Sequence, residues 1–120
     1  IATAIRIGNP VNREKARKAK EESNGLFESL TDKEIKNAHR LLASKEGVFV
    51  EPASATPVAG LIKLSKEEPK LVKGKKIVAV LTGNGLKDQE FVLNNYSIPE
   101  SVEGNLKKVE EILNFRERGK

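Results

Sequence analysis

The run Ile77-Val78-Ala79-Val80-Leu81 constrains the fold more than any other stretch of the chain. A strand with one face in water alternates apolar and polar side chains, whereas a strand covered on both faces reads as an unbroken apolar, β-branched run. This run therefore predicts a parallel strand at the centre of a sheet. Helix-like and strand-like stretches alternate on its N-terminal side. The expected fold class is α/β: part of a layered domain with a mostly parallel sheet flanked by helices, incomplete as a fragment.

The opening Ile1 to Ile7 reads as a strand, and Asn12 is placed to cap a mostly solvated helix running to about Ser23, with Gly25 as its stop. Leu26 to Leu30 is a short connection or strand. Thr31 and Glu34 have the spacing of a capping box, which starts a helix whose buried face is Ile35, Ala38 and Leu42 and which Gly47 ends. Val48-Phe49-Val50 is a short strand, broken by Glu51-Pro52. The small-residue run Ala53 to Ile62 then predicts a buried helix, with Pro57 tolerated in its first turn. Lys66 to Lys75 reads as a charged surface loop and Gln89 to Ser97 as irregular. A last helix is expected from about Glu100 to Arg116, with Val102, Leu106, Val109 and Leu113 on one stripe.

At 120 residues the chain is the size of one domain, and 38% hydrophobic against 32% charged residues fits a folded protein. With no cysteine and a single histidine, His39, neither a disulfide framework nor a cysteine or histidine metal cluster can be built. No apolar run approaches the ~20 residues that cross a bilayer, so no membrane partner is expected and a cytoplasmic location is. The net charge of +5 raises the question of nucleic acid. Lysines and arginines are interleaved with glutamates, however, and one Tyr with four Phe offers little stacking surface, so nucleic acid is not an expected partner. The absence of methionine and the abrupt strand-like opening point to a fragment. Strand edges left bare in a fragment would favour self-association, and a homo-oligomer is expected.

Chemistry concentrates in Leu81-Thr82-Gly83-Asn84-Gly85-Leu86-Lys87-Asp88, which leaves the carboxyl end of the central run, where open α/β sheets bind ligands. Gly83 and Gly85 would let the backbone approach a flat ligand, and the Thr82 hydroxyl both donates and accepts. A plain glycine turn after a strand explains the same residues. Asp88 stands where a dinucleotide fingerprint needs its third glycine, which excludes that motif. His39 lies at the edge of an apolar stripe, the usual place of a packed or half-solvated helix residue. Arg6 could donate to a phosphate but also alternates to the solvent face of a strand, and Lys87 with Asp88 reads as a surface pair.

Three blocks in order, Ala2 to Pro10, Gly47 to Ala55 and Leu81 to Asp88, resemble threonine synthases, pyridoxal-phosphate enzymes of the tryptophan synthase β-like group. The resemblance runs from Ile1 to about Asp88. It implies that residues 1–88 are the C-terminal part of the pyridoxal-phosphate-binding domain and residues 89–120 a C-terminal tail with a final helix. It implies a lyase of threonine biosynthesis, with pyridoxal 5'-phosphate as cofactor and O-phospho-L-homoserine as substrate, converted with water to L-threonine and phosphate. In such enzymes the threonine of the Thr-Gly-x-Gly-Leu-Lys block faces the pyridine nitrogen, which assigns cofactor binding to Thr82. The Glu-Pro-Ala-Ser block lies beside the cofactor, which makes Glu51 a second candidate, although a carboxylate before a helix is also favoured by the dipole alone. The cofactor-bonding lysine and the phosphate loop match nothing here, so no catalytic residue is expected in this fragment and the isolated piece should be inactive. A threonine or serine dehydratase, or a non-enzymatic binding module, are the competing readings.

Overall fold

In the computed structural model residues 1–113 are described. Helix α1 (Arg13–Glu22) carries no buried residue. Its exposed face is laced by ion pairs one turn apart, Arg17 with Glu14 and Glu21, and Lys18 with Glu22, which support a helix that little else packs against. Asn12 makes no side-chain cap. The helix closes instead with Ser23 Oγ donating to the Ala19 carbonyl, Asn24 at φ 50° and the Gly25 N–H on the Lys20 carbonyl.

Helix α2 (Asp32–Leu41) begins with the expected capping box. The Thr31 side chain accepts the Glu34 N–H while the Glu34 carboxylate accepts the Thr31 N–H at 2.7 Å. The Thr31 N–H, together with the Thr31 hydroxyl that donates to the same carboxylate at 2.8 Å, holds the Glu34 carboxyl below its ordinary range. Ile35, Ala38 and Leu42 are all buried, as the spacing predicts. Beyond Leu41 the chain widens into a π-type turn over Leu42–Glu46, which Gly47 ends in the left-handed conformation at φ 66°.

Helix α3 (Pro52–Glu67) takes Pro52 into its first turn, where a missing N–H breaks no bond. Pro57 lies inside the helix, past the first turn expected for it. Its ring leaves the Ala53 carbonyl without a helical donor, and the Thr56 hydroxyl donates to that carbonyl at 2.7 Å instead. Ala55 and Ala59 pack with Ile35, Ala38, Leu42 and Val50 into the core, against which Ile1, Leu30, Ile62 and Leu81 rest. The charged stretch expected as a loop is helical in part: α3 runs to Glu67, and a turn of helix, α4, spans Pro69–Val72.

The expected parallel sheet is not present among the described residues. They contain no strand. Ile1 to Ile7 holds a short 3-10 turn over Thr3–Ile5. Val48 to Val50 contributes a single antiparallel bridge between Val50 and Asn84, and Val78 and Val80 stand 87% and 66% exposed. An apolar run suits a segment to a covered strand but supplies no neighbour, and a strand exists only where an adjacent backbone takes its N–H and C=O groups. No such backbone lies beside Ile77 to Val80 among the described residues. The radius of gyration of 18.2 Å exceeds the about 14 Å of a compact chain this long. The accessible surface of 10022 Å² likewise exceeds the roughly 6,400 Å² expected.

The stretch after Asp88 is not irregular. Helix α5 (Gln89–Asn95) is capped by the Asp88 carboxylate, which accepts the Phe91 N–H at 3.1 Å, and Phe91 is buried. Helix α6 (Leu106–Leu113) starts after Glu100, with Asn105 Oδ1 accepting the Lys107 N–H. The remainder of that expected helix, beyond 113, lies outside the described residues. Among those residues no helix is long and apolar enough to cross a membrane.

Candidate functional site

The turn after Leu81 is fastened to the start of α3 by main-chain and side-chain bonds together. The Glu51 N–H donates to the Gly83 carbonyl at 3.1 Å and the Gly85 N–H to the Phe49 carbonyl at 3.2 Å, on either side of the Val50–Asn84 bridge. Asn84 Oδ1 accepts the Leu86 N–H at 2.9 Å and starts the 3-10 turn Gly85–Lys87. The segment from Thr82 to Asp88 is thus a fixed turn on a helix N-terminus.

Thr82 and Glu51, the residues singled out in the sequence, come together there through Ser54. Ser54 Oγ accepts the Gly83 N–H at 2.7 Å, donates to Glu51 Oε1 at 3.2 Å and lies 3.1 Å from Thr82 Oγ1. Ser54 is 2% exposed, whereas Thr82 stands at the surface. Glu51 occupies the cap position of α3, yet its carboxylate makes no capping bond and turns to Ser54 instead. Gly83 is required by this arrangement, because a Cβ there would run into the Glu51 side chain.

Ser54 is the residue that the sequence reading missed. It is the hydroxyl at i+3 from Glu51, flanked by Ala53 and Ala55, and its being polar in a stretch suited to burial was the available signal.

The other candidates lie apart from this cluster. Arg6 is exposed and, with Thr3 and Asp88, lines a cleft of about 310 Å³. Lys87 is exposed on the 3-10 turn. His39 is packed, the first of its two expected environments: at 2% exposure it stands behind the turn with Phe49 and Phe91 edge-on to its ring, and Nδ1 is 2.8 Å from the Tyr96 hydroxyl. No group of three or more carboxylates and histidines that could hold a metal occurs among the described residues.

A family model described as pyridoxal-phosphate dependent enzyme matches residues 1–83, and this match covers the core, α3 and the Thr82-Gly83 end of the cluster. The chain belongs to this family. Among curated relatives, the threonine synthase of a Synechocystis species is 56% identical over 95 residues, 79% of this chain and 24% of the relative. The threonine synthase of Methanocaldococcus jannaschii is 49% identical over 113 residues, 94% of this chain and 28% of the relative. That of a Bacillus species is 46% identical over 112 residues, 92% of this chain and 32% of the relative. The chain therefore spans about a quarter to a third of the length of the curated relatives it matches.

The family's cofactor is a flat, polar ring, and the cluster fits one edge of it. Thr82 is exposed and its hydroxyl is backed by a buried partner, with the Glu51 carboxylate packed against the buried Gly83 beside it.

Proposed function

We propose that this chain forms the pyridine-side wall of the cofactor site in a threonine synthase, an enzyme that converts O-phospho-L-homoserine and water to L-threonine and phosphate. The observation that carries the reading is the hydroxyl of the exposed Thr82 held by Ser54, within a chain that relatives named threonine synthase match at 46–56% identity. In this reading pyridoxal phosphate supplies the electron sink that lets a substrate proton leave and phosphate follow. Thr82 meets the pyridine nitrogen, and Glu51 lies beside the ring.

Residues 1–88 belong to the cofactor domain and 89–120 form a tail. The cofactor-bonding lysine and the phosphate loop come from sequence outside these residues, so the segment by itself is inactive. A homo-oligomer in the cytoplasm completes the proposal; the exposed side chains of Ile77, Val78 and Val80 support burial of this surface by the rest of the protein or by a second copy.

The test is phosphate release from O-phosphohomoserine by the full chain with and without added pyridoxal phosphate. Cofactor-dependent release with threonine formed is the expected result, and deamination of free threonine or serine instead would make the protein a dehydratase. Thr82→Val keeps the side-chain shape and removes the hydroxyl. It is expected to lower kcat about tenfold, the equivalent of one hydrogen bond, with the circular dichroism spectrum unchanged. Unaltered kinetics would remove Thr82 from the site.

A further inference from the structure

A hydroxyl has one proton and two lone pairs, and at Ser54 all three are spoken for. One lone pair takes the Gly83 N–H at 2.7 Å, and the proton goes to Glu51 Oε1 at 3.2 Å. What remains for Thr82 Oγ1, 3.1 Å away, is the second lone pair, so Thr82 donates inward and its own lone pairs face outward. For Thr82 to offer its proton outward and keep its bond to Ser54, Ser54 must turn its proton from Glu51 to Thr82. The two arrangements exclude each other, and the single proton on Ser54 decides between them.

We infer that Ser54 is a positioning residue that sets whether the Thr82 hydroxyl presents a lone pair or a proton to the ring nitrogen of the cofactor, with Glu51 competing for the same Ser54 proton. This rests on the proposed place of Thr82 at the pyridine nitrogen. Ser54 touches no ligand in this account. It is buried behind Thr82 at 2% exposure and acts through it. Burial of Ser54 strengthens the effect, because no water is at hand to replace a missing partner at its own hydroxyl.

The test uses the full chain loaded with pyridoxal phosphate carrying ¹⁵N in the ring, whose resonance reports whether the nitrogen accepts or donates a hydrogen bond. The wild type is compared with Thr82→Val, Ser54→Ala and Ser54→Cys; the cysteine keeps the buried volume while weakening the bonds, and serves if the alanine variant yields too little folded protein. The expected result is that Thr82→Val and the Ser54 variants all move the resonance, although Ser54 makes no contact with the ring. A Thr82→Val shift with none from either Ser54 variant would overturn the inference and leave the reading of Thr82 standing. No shift from Thr82→Val would overturn the reading of Thr82 and this inference with it. A role for Ser54 in stability alone would lower the melting temperature and leave the resonance where it is.

Discussion

Replacing Gly85 with alanine is expected to destabilise the protein by about 1–3 kcal/mol, the usual range for forcing a methyl group into an occupied space. A Cβ at this buried position would stand 2.5 to 2.7 Å from Cε1, Cζ and Cδ1 of the Phe49 ring. A ring does not bend out of the way as a lysine tip does. The Gly85 backbone cannot retreat without giving up its N–H bond to the Phe49 carbonyl. The ring must therefore swing outward and leave the edge of His39, where its centroid now lies 5.9 Å from the imidazole. Gly60→Ala is the matched control: it lies in the middle of α3, and a Cβ there meets nothing within 4 Å. Alanine is the better helix former, so Gly60→Ala is expected to stabilise by about 0.5–1 kcal/mol. Urea denaturation of the full chain with each substitution reads both. Equal midpoints for Gly85→Ala and the wild type would mean that the turn and Phe49 are not packed as described.

The parts of this structure that sequence made legible are those whose causes are local. Thr31 and Glu34 are three residues apart and satisfy each other within one turn, and the spacing of Ile35, Ala38 and Leu42 is itself the helical face that packs. The sheet was not legible in the same sense. Ile77 to Leu81 carries the side chains of a covered strand, but pairing is a property of two backbones, and the only bridge formed among the described residues joins Val50 to Asn84. Helix α5 was hidden for a smaller reason: its cap is Asp88, which in sequence reads as a surface pair with Lys87, and a helix from Gln89 to Asn95 is too short to show a period.

The site divides in the same way. Thr82 and Glu51 stand out in the sequence because they sit in recognisable blocks. Ser54 joins them across 28 residues of chain, and nothing in the local spacing announces a bond that the packing of α3 against the turn creates.

His39 is expected to give the largest loss on truncation. His39→Ala removes a ring in edge contact with Phe49 and Phe91, strands the Tyr96 hydroxyl and opens a cavity behind the turn, for a loss of about 2–4 kcal/mol. The same burial makes its charge state consequential. Burial lowers the His39 pKa from its ordinary value near 6.5; the Val50 main chain and the Asp88 carboxylate pull in the opposite direction without cancelling it. Tyr96 faces Nδ1 as a neutral hydroxyl, since burial raises its own pKa, and Nε2 is buried without a hydrogen-bond partner. The unfolded chain takes up a proton at His39 as pH falls through about 6.5, while the folded chain resists until its lower pKa is reached. In that interval the unfolded state binds more protons, so stability declines as pH falls and is fully present above 6.5. Comparison with His39→Phe, which keeps an aromatic ring in place without the titration, isolates this imidazole: denaturation midpoints between pH 7 and 5.5 should fall for the wild type and stay flatter for the variant. Parallel slopes for the two proteins would mean that the imidazole is protonated in the folded chain as readily as in the unfolded one, and that the ring lies open to water.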